Sequence, residues 1–216
     1  MIINKSSNIS KTLENNVKIV SNYQCLWEQQ NEGTCGAFEP ILSDFINKHP
    51  QNIDFLQVLH KCFLINSLYS TRISKSDLID IANGIINTKD FDDLLENASD
   101  IKQAVKVIKS FTNRRNYAFA TKYCALHFEN RFPIYDSLSV SVLQYYQDKD
   151  KFYRQAGNYD VIKESVNYNE YVNIYNRFID SYLQNTNVTY REVDKYLWTF
   201  GKRQNENMKN YILQKI

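Results

Sequence analysis

Apolar residues recur along the chain at spacings of three and four, the period of helices that each bury one face. Leu13, Val17, Val20, Tyr23 and Leu26 form such a stripe, and Gly33-Thr34-Cys35-Gly36 breaks it before a short helix from about Pro40 to Ile46, closed by Pro50. Phe55, Val58, Leu59, Phe63, Leu64, Ser67 and Leu68 fall on one side of a helix from Ile53 to about Ser70, expected to be central. Ser74-Lys75-Ser76-Asp77 reads as the capping region of a helix carrying Leu78, Ile79, Ile81, Ala82, Ile85 and Ile86. A short acidic segment follows, and then a helix from about Ile101 to Ser110 whose apolar face is Ile101, Ala104, Val105 and Ile108.

The polar turn Phe111-Thr112-Asn113-Arg114-Arg115-Asn116 leads into a helix of Tyr117, Ala120, Thr121, Cys124 and Phe128. Pro133 holds the next segment extended, and Asp136 stands at the N-cap position of a helix carrying Leu138, Val140, Val142, Leu143 and Tyr146. Beyond an irregular linker with Gly157, two more helices are expected, Tyr168 to Leu183 and Thr189 to Phe200. Asn167 or Asn169 caps the first, Thr189 caps the second, and Gly201 is expected to stop it.

Composition narrows this to an all-α fold. Only 5 Gly and 3 Pro occur in 216 residues, too few for the many bends of a sandwich or barrel. With 43% hydrophobic and 23% charged residues the chain is an ordinary globular one, and its length fits a single helical domain over 1–216. Two lobes are expected within it, about 50–130 as a central lobe and 1–49 with 131–216 as the second. No apolar stretch reaches the roughly 20 residues of a membrane span, and Met1 to Ser7 lack a signal-peptide core, so no membrane partner and a cytoplasmic location are expected. Cys25, Cys35, Cys62 and Cys124 form no CxxC pair and read as reduced, inert thiols, with no metal. The 16 tyrosines read first as core and core-edge residues.

Charge is balanced in sum, 26 basic against 24 acidic side chains, yet polarised along the chain. Asp90, Asp92, Asp93, Glu96 and Asp100 precede Lys102, Lys106, Lys109, Arg114, Arg115, Lys122 and Arg131. Lys102, Lys106 and Lys109 share one helix face by their spacing, which is either a solvated face complemented by the preceding acids or a phosphate-binding surface. His127, near the end of its helix, reads first as a C-terminal helix cation.

The order helix, basic helix, polar turn, helix, extended Pro133-Ile134-Tyr135-Asp136, helix resembles the helix-hairpin-helix base-excision DNA glycosylases. Phe111 to Ser137 can be laid on that family's hairpin, second hairpin helix and the strand that delivers its catalytic aspartate, which falls on Asp136. Phe63 to Arg72 is similar to its early helix, ending in a short polar motif that wedges into DNA. The resemblance implies a two-lobed helical fold, a DNA partner and no cofactor. The hairpin turn here carries no glycine, so Arg114 and Arg115 would take the phosphate, and Tyr117 replaces the Schiff-base lysine of bifunctional members. That replacement points to a monofunctional enzyme.

Hydrolysis of an N-glycosidic bond builds positive charge on the sugar, which a rigidly held carboxylate can stabilise while it orients the attacking water. Asp136 is the carboxylate the resemblance implies; as a residue before Ser-Leu-Ser-Val it is equally a plain N-cap, and the two roles are compatible. An extruded base further needs a wedge, phosphate anchors and aromatic walls. Tyr69 and Arg72 are the wedge candidates, Lys106, Lys109, Arg114, Arg115 and Lys122 the anchors, and Tyr117, Tyr135 and Trp198 the walls. Bland roles stand beside these, a snorkelling Lys122 and a core Trp198. A non-catalytic helical module that binds nucleic acid or a protein, in DNA repair or defence, is the alternative. Oligomeric state is not encoded in the pattern.

Overall fold

Side-chain caps set the starts of several helices. The computed structural model describes residues 35–97, 102–112, 116–153, 168–183 and 187–203. Its helices are α1 (Cys35–Lys48), α2 (Phe55–Leu68), α3 (Lys75–Asn87), α4 (Phe91–Glu96), α5 (Lys102–Ser110), α6 (Tyr117–His127), α7 (Ser137–Asp150), α8 (Tyr168–Tyr182) and α9 (Tyr190–Arg203). No strand occurs among the described residues. Asp54 starts α2 by accepting from the Gln57 N–H at 2.8 Å, and Ser74 starts α3 by accepting from Asp77 N–H at 3.1 Å. Thr189 and Glu192 form a reciprocal box at the head of α9, with Glu192 N–H donating to Thr189 Oγ1 at 3.2 Å and Thr189 N–H donating to Glu192 Oε2 at 2.7 Å. Each such cap contributes about 1 kcal/mol.

The chain divides at Tyr135/Asp136 into two compact units, the first holding α1 to α6 and the second α7 to α9. In the first, α2 packs against α1, α3 and α6, and α5 packs against α3, α4 and α6. Val58, Cys62, Ile65, Leu78, Ile81, Ile85, Ile108 and Phe119 fill its core. The ring of Phe111 lies against α3 where Gly84 leaves room, and a Cβ at that position would collide with it. In the second unit α7 packs on α9, while Tyr168, Tyr171, Tyr175 and Phe178 of α8 are buried.

Several expectations shift once packing is seen. α1 begins at Cys35 and runs through Pro40, whose missing N–H costs one hydrogen bond near the start. Because α1 packs on α2 and α6, it goes with the central unit instead of the second lobe. On α2 the buried face is Val58, Lys61, Cys62 and Ile65, whereas Phe63 is 37% and Leu56 63% exposed. That helix is apolar nearly all round, so periodicity alone could not choose its inner face. Within the acidic segment Phe91–Glu96 is helical, anchored by buried Phe91 and Leu95. Gly201 does not end α9 but sits inside it, since a Cβ there would meet Leu138 Cβ at 3.1 Å and Val142 Cγ2 at 3.2 Å. Its role is close helix approach rather than termination. The Leu13–Leu26 stripe and Gly157 lie outside the described residues.

Candidate nucleic-acid interface

α5 buries Ala104, Val105 and Ile108 and turns Lys106 to solvent, with Lys102 and Lys109 partly exposed. The Lys109 ammonium lies 4.7 Å above the centroid of the Tyr117 ring, an attraction between a cation and the negative face of the ring. Tyr117 in turn meets Tyr135 edge to face, with centroids 4.9 Å apart at 79°. Tyr135 is held there by the extended segment before it: Phe132 and Ile134 are buried, and Tyr135 N–H donates to Thr121 Oγ1 of α6 at 3.1 Å. Burial, and then the neighbouring Tyr135, pushes the Tyr117 phenol well up, so it remains a neutral hydroxyl at physiological pH. Cations and half-exposed rings thus interleave on one surface of the first unit.

The wedge candidates lie on the turn after α2. Ser70 and Arg72 both adopt left-handed backbone, with φ of 48° and 59°. Such a conformation costs a non-glycine residue on the order of 1 kcal/mol or more. Asn66 holds the turn: its Oδ1 accepts from Ile73 N–H at 2.9 Å and Thr71 Oγ1 at 2.7 Å, and its Nδ2 donates to Ile73 C=O at 3.1 Å. Arg72 is exposed, whereas Tyr69 is half-buried and donates to Glu39 Oε1 at 3.2 Å. Lys122 stands apart from the α5 lysines, only 6% exposed, with its ammonium 5.6 Å from the Tyr69 ring centroid. Arg131, expected on the basic surface, donates from Nη1 to the Glu96 carbonyl at 2.7 Å and so meets the C-terminal end of α4.

Asp136 and Trp198 belong to the second unit, and Arg114 and Arg115 lie outside the described residues. Asp136 caps α7: its Oδ1 accepts from Leu138 N–H at 2.9 Å and Ser139 N–H at 3.1 Å. Trp198 is half-buried on α9, with the Lys202 ammonium 4.7 Å from its ring centroid.

A second polar cluster was not expected. Lys61 has no exposed surface, and its ammonium donates to the Gln51 carbonyl at 3.0 Å, to Asn52 Oδ1 at 2.9 Å and to His127 Nε2 at 3.2 Å. Asn52 also accepts from Tyr123 OH at 2.6 Å, and it donates from N and Nδ2 to Asp92 at 3.0 and 2.5 Å. Burial lowers Lys61 to about 8 against the opposing pull of Asp92. His127 donates from Nδ1 to the Tyr123 carbonyl at 2.9 Å, leaving Nε2 to accept. Burial, then the Lys61 charge, lowers its pKa to about 4, so His127 is neutral and not the helix-end cation expected. The one legible signal was a lysine between Val58 and Cys62 on an apolar helix. Among the thiols, Cys62 and Cys124 are free and buried, and burial pushes Cys62 up to about 12, which keeps it inert.

Residues 19–131, more than half of the chain, match the family model HI_0787_N, described as an N-terminal domain. The chain belongs to this family. The matched span of HI_0787_N ends just before the division at Tyr135, so most of it lies in the first structural unit and α7 to α9 follow it. The chain is also 31% identical over 147 residues to an uncharacterized protein of Haemophilus influenzae, an alignment spanning 67% of this chain and 66% of that protein. No solved structure matches the chain. Among the described residues no helix is long and apolar enough to cross a membrane, and no group of His, Cys, Asp and Glu is placed to hold a metal ion.

Proposed function

We propose that this HI_0787_N chain is a cytoplasmic DNA-binding protein that acts as a monofunctional glycosylase. The observation that carries the binding is the α5–α6 surface, where Lys109 lies over Tyr117 and Tyr117 against Tyr135, beside exposed Lys106. Ammonium groups there meet phosphates and the half-exposed rings take base faces, the two contacts that hold a nucleotide out of its stack. The glycosylase resemblance assigns excision to Asp136, a carboxylate that would stabilise the sugar cation and orient water. Its half-buried place at a helix start supports this, because the cap bonds to Leu138 and Ser139 hold the side chain rigidly.

The same cap bonds favour a second reading, a binding module without catalysis, in which Asp136 serves α7 alone. Duplexes carrying uracil, oxidised, alkylated or hypermodified bases, treated with alkali after incubation, separate the two. Asp136→Asn keeps a competent cap. Excision by the native chain that disappears in Asp136→Asn while binding and the helical spectrum persist supports the glycosylase; binding without excision across the panel assigns the module. Lys106→Glu/Lys109→Glu should weaken duplex binding strongly and reduce the salt slope by about 2. Binding unaffected by that pair overturns both readings.

A further inference from the structure

The second unit holds a cavity of about 510 Å³ between α8 and the short segment after α7, a volume suited to a small organic ligand. That segment is tied down from several sides. Tyr153 N–H donates to Gln147 Oε1 at 2.9 Å, the Tyr153 carbonyl accepts from Gln147 Nε2 at 2.7 Å, and Tyr153 OH donates to Glu170 of α8. The Phe152 ring meets Phe178 and Tyr182 edge to face, each with centroids 5.9 Å apart. Across from it α8 contributes Asn173, Asn176, Arg177 and Asp180, which fall within roughly 100° of arc at 3.6 residues per turn. Asn176 Oδ1 accepts from Tyr190 OH at 2.6 Å, which fixes the amide and leaves Nδ2 a donor without a partner among the described residues. Arg177 and Asp180 are exposed neighbours at i and i+3, yet among the described residues neither forms an ion pair, with the other or elsewhere. The cavity's other cation, Lys151, lies 4.0 Å from Asp148 Oδ1.

We infer that this cavity binds a small zwitterion, the chemistry of a free amino acid or a dipeptide, with its carboxylate on Arg177 and its ammonium on Asp180. A guanidinium presents a planar fork that matches a carboxylate, and Asn176 Nδ2 adds a donor one residue before it. An Arg and an Asp that line one cavity without pairing leave a gap between opposite charges, which a ligand carrying both charges can bridge. Phe152, half-buried, offers the ligand's side chain an apolar surface. A nucleotide is disfavoured because Asp180 repels its phosphates, and a divalent cation because Arg177 repels it and no metal-holding group of His, Cys, Asp and Glu occurs among the described residues. The site uses none of the residues assigned above to duplex binding or excision.

Saturation-transfer NMR of the full chain with the common amino acids and a panel of dipeptides should mark at least one ligand, whose affinity calorimetry then measures. Arg177→Gln and Asp180→Asn change exposed side chains and should each weaken that affinity about tenfold or more, with the helical spectrum intact. The carboxamide of the same ligand should bind the native chain weakly and lose nothing further in Arg177→Gln, and its N-acetyl form should behave likewise in Asp180→Asn. These matched pairs distinguish direct contact from a general change of surface charge. Lys106→Glu/Lys109→Glu should leave the affinity unchanged whether or not the α5 surface binds duplex, which keeps the two readings separable. No saturation transfer to any member of the panel, adenosine monophosphate binding as tightly as the best zwitterion, or an affinity unmoved by Arg177→Gln or Asp180→Asn would each overturn the inference.

Discussion

The first unit buries an ammonium at its centre, and the second buries phenols. In the first, Lys61 is sealed among Gln51, Asn52 and His127, with Tyr123 and Asp92 completing the network through Asn52. In the second, Tyr175 is wholly buried against Asp194, while Tyr146 bonds Tyr196 at 2.6 Å and Tyr182 bonds Asp150 at 2.6 Å nearer the surface. A buried charge couples every group around it, because losing any partner strands an ion in low dielectric. A phenol brings its own apolar ring and carries no charge, so losing a partner of its hydroxyl strands no ion. The difference predicts cooperative failure in the first unit and graded loss in the second.

The largest effect should come from Asn52→Leu, which removes the acceptor of Lys61 and Tyr123 and the Nδ2 donor to Asp92 together. Urea unfolding followed by circular dichroism should show a loss of about 3–5 kcal/mol, the range for breaking a buried charged network. Next is acidification. His127 is lowered from 6.5 to about 4, so its neutral form belongs to the folded state. Stability from this group is complete above pH 6.5 and drains away as pH falls toward 4, by about 3 kcal/mol at 1.36 kcal/mol per unit. His127→Gln keeps an acceptor for Lys61 and should flatten that part of the pH profile; an unchanged profile would show that other groups set it.

Tyr175→Phe should cost less, about 1–2 kcal/mol, because buried Asp194 loses one donor while the ring stays in place. Trp198 emission in the Trp27→Phe background reads this in the second unit alone. Tyr182→Phe should cost under about 0.5 kcal/mol, since Asp150 is exposed and water replaces the phenol. Equal losses from Tyr175→Phe and Tyr182→Phe would break the contrast within the second unit. Losses from Asn52→Leu as small as theirs would break the contrast between the two.

Much of the fold was legible because its signals are local. The Ser74–Asp77 region, Asp136 and Thr189 were read as caps from short polar side chains before an apolar run, and Ser74, Asp136 and Thr189 each accept a backbone N–H at a helix start. The α5 face was legible from the spacing of its lysines and its buried Ala104, Val105 and Ile108. Its contact with Tyr117, and that of Tyr117 with Tyr135, depends on residues up to eighteen positions further along and is visible only when α5, α6 and the extended segment come together. Trp198 was read as a pocket wall or a core residue, and on α9 it is half-buried with Lys202 over its ring, a setting that residue type could not choose.

By itself the sequence determined that this chain is helical, where most of its helices begin, and that its lysines gather on one face of α5. These follow from hydrogen bonds and periodicities that span at most a few residues. Tertiary structure alone decided that Lys61 is an internal cation, that His127 is neutral, and that Gly201 is a packing site within a helix. The protonation of a side chain and the space around a Cα depend on which distant groups surround them, and those neighbours exist only after the helices have packed.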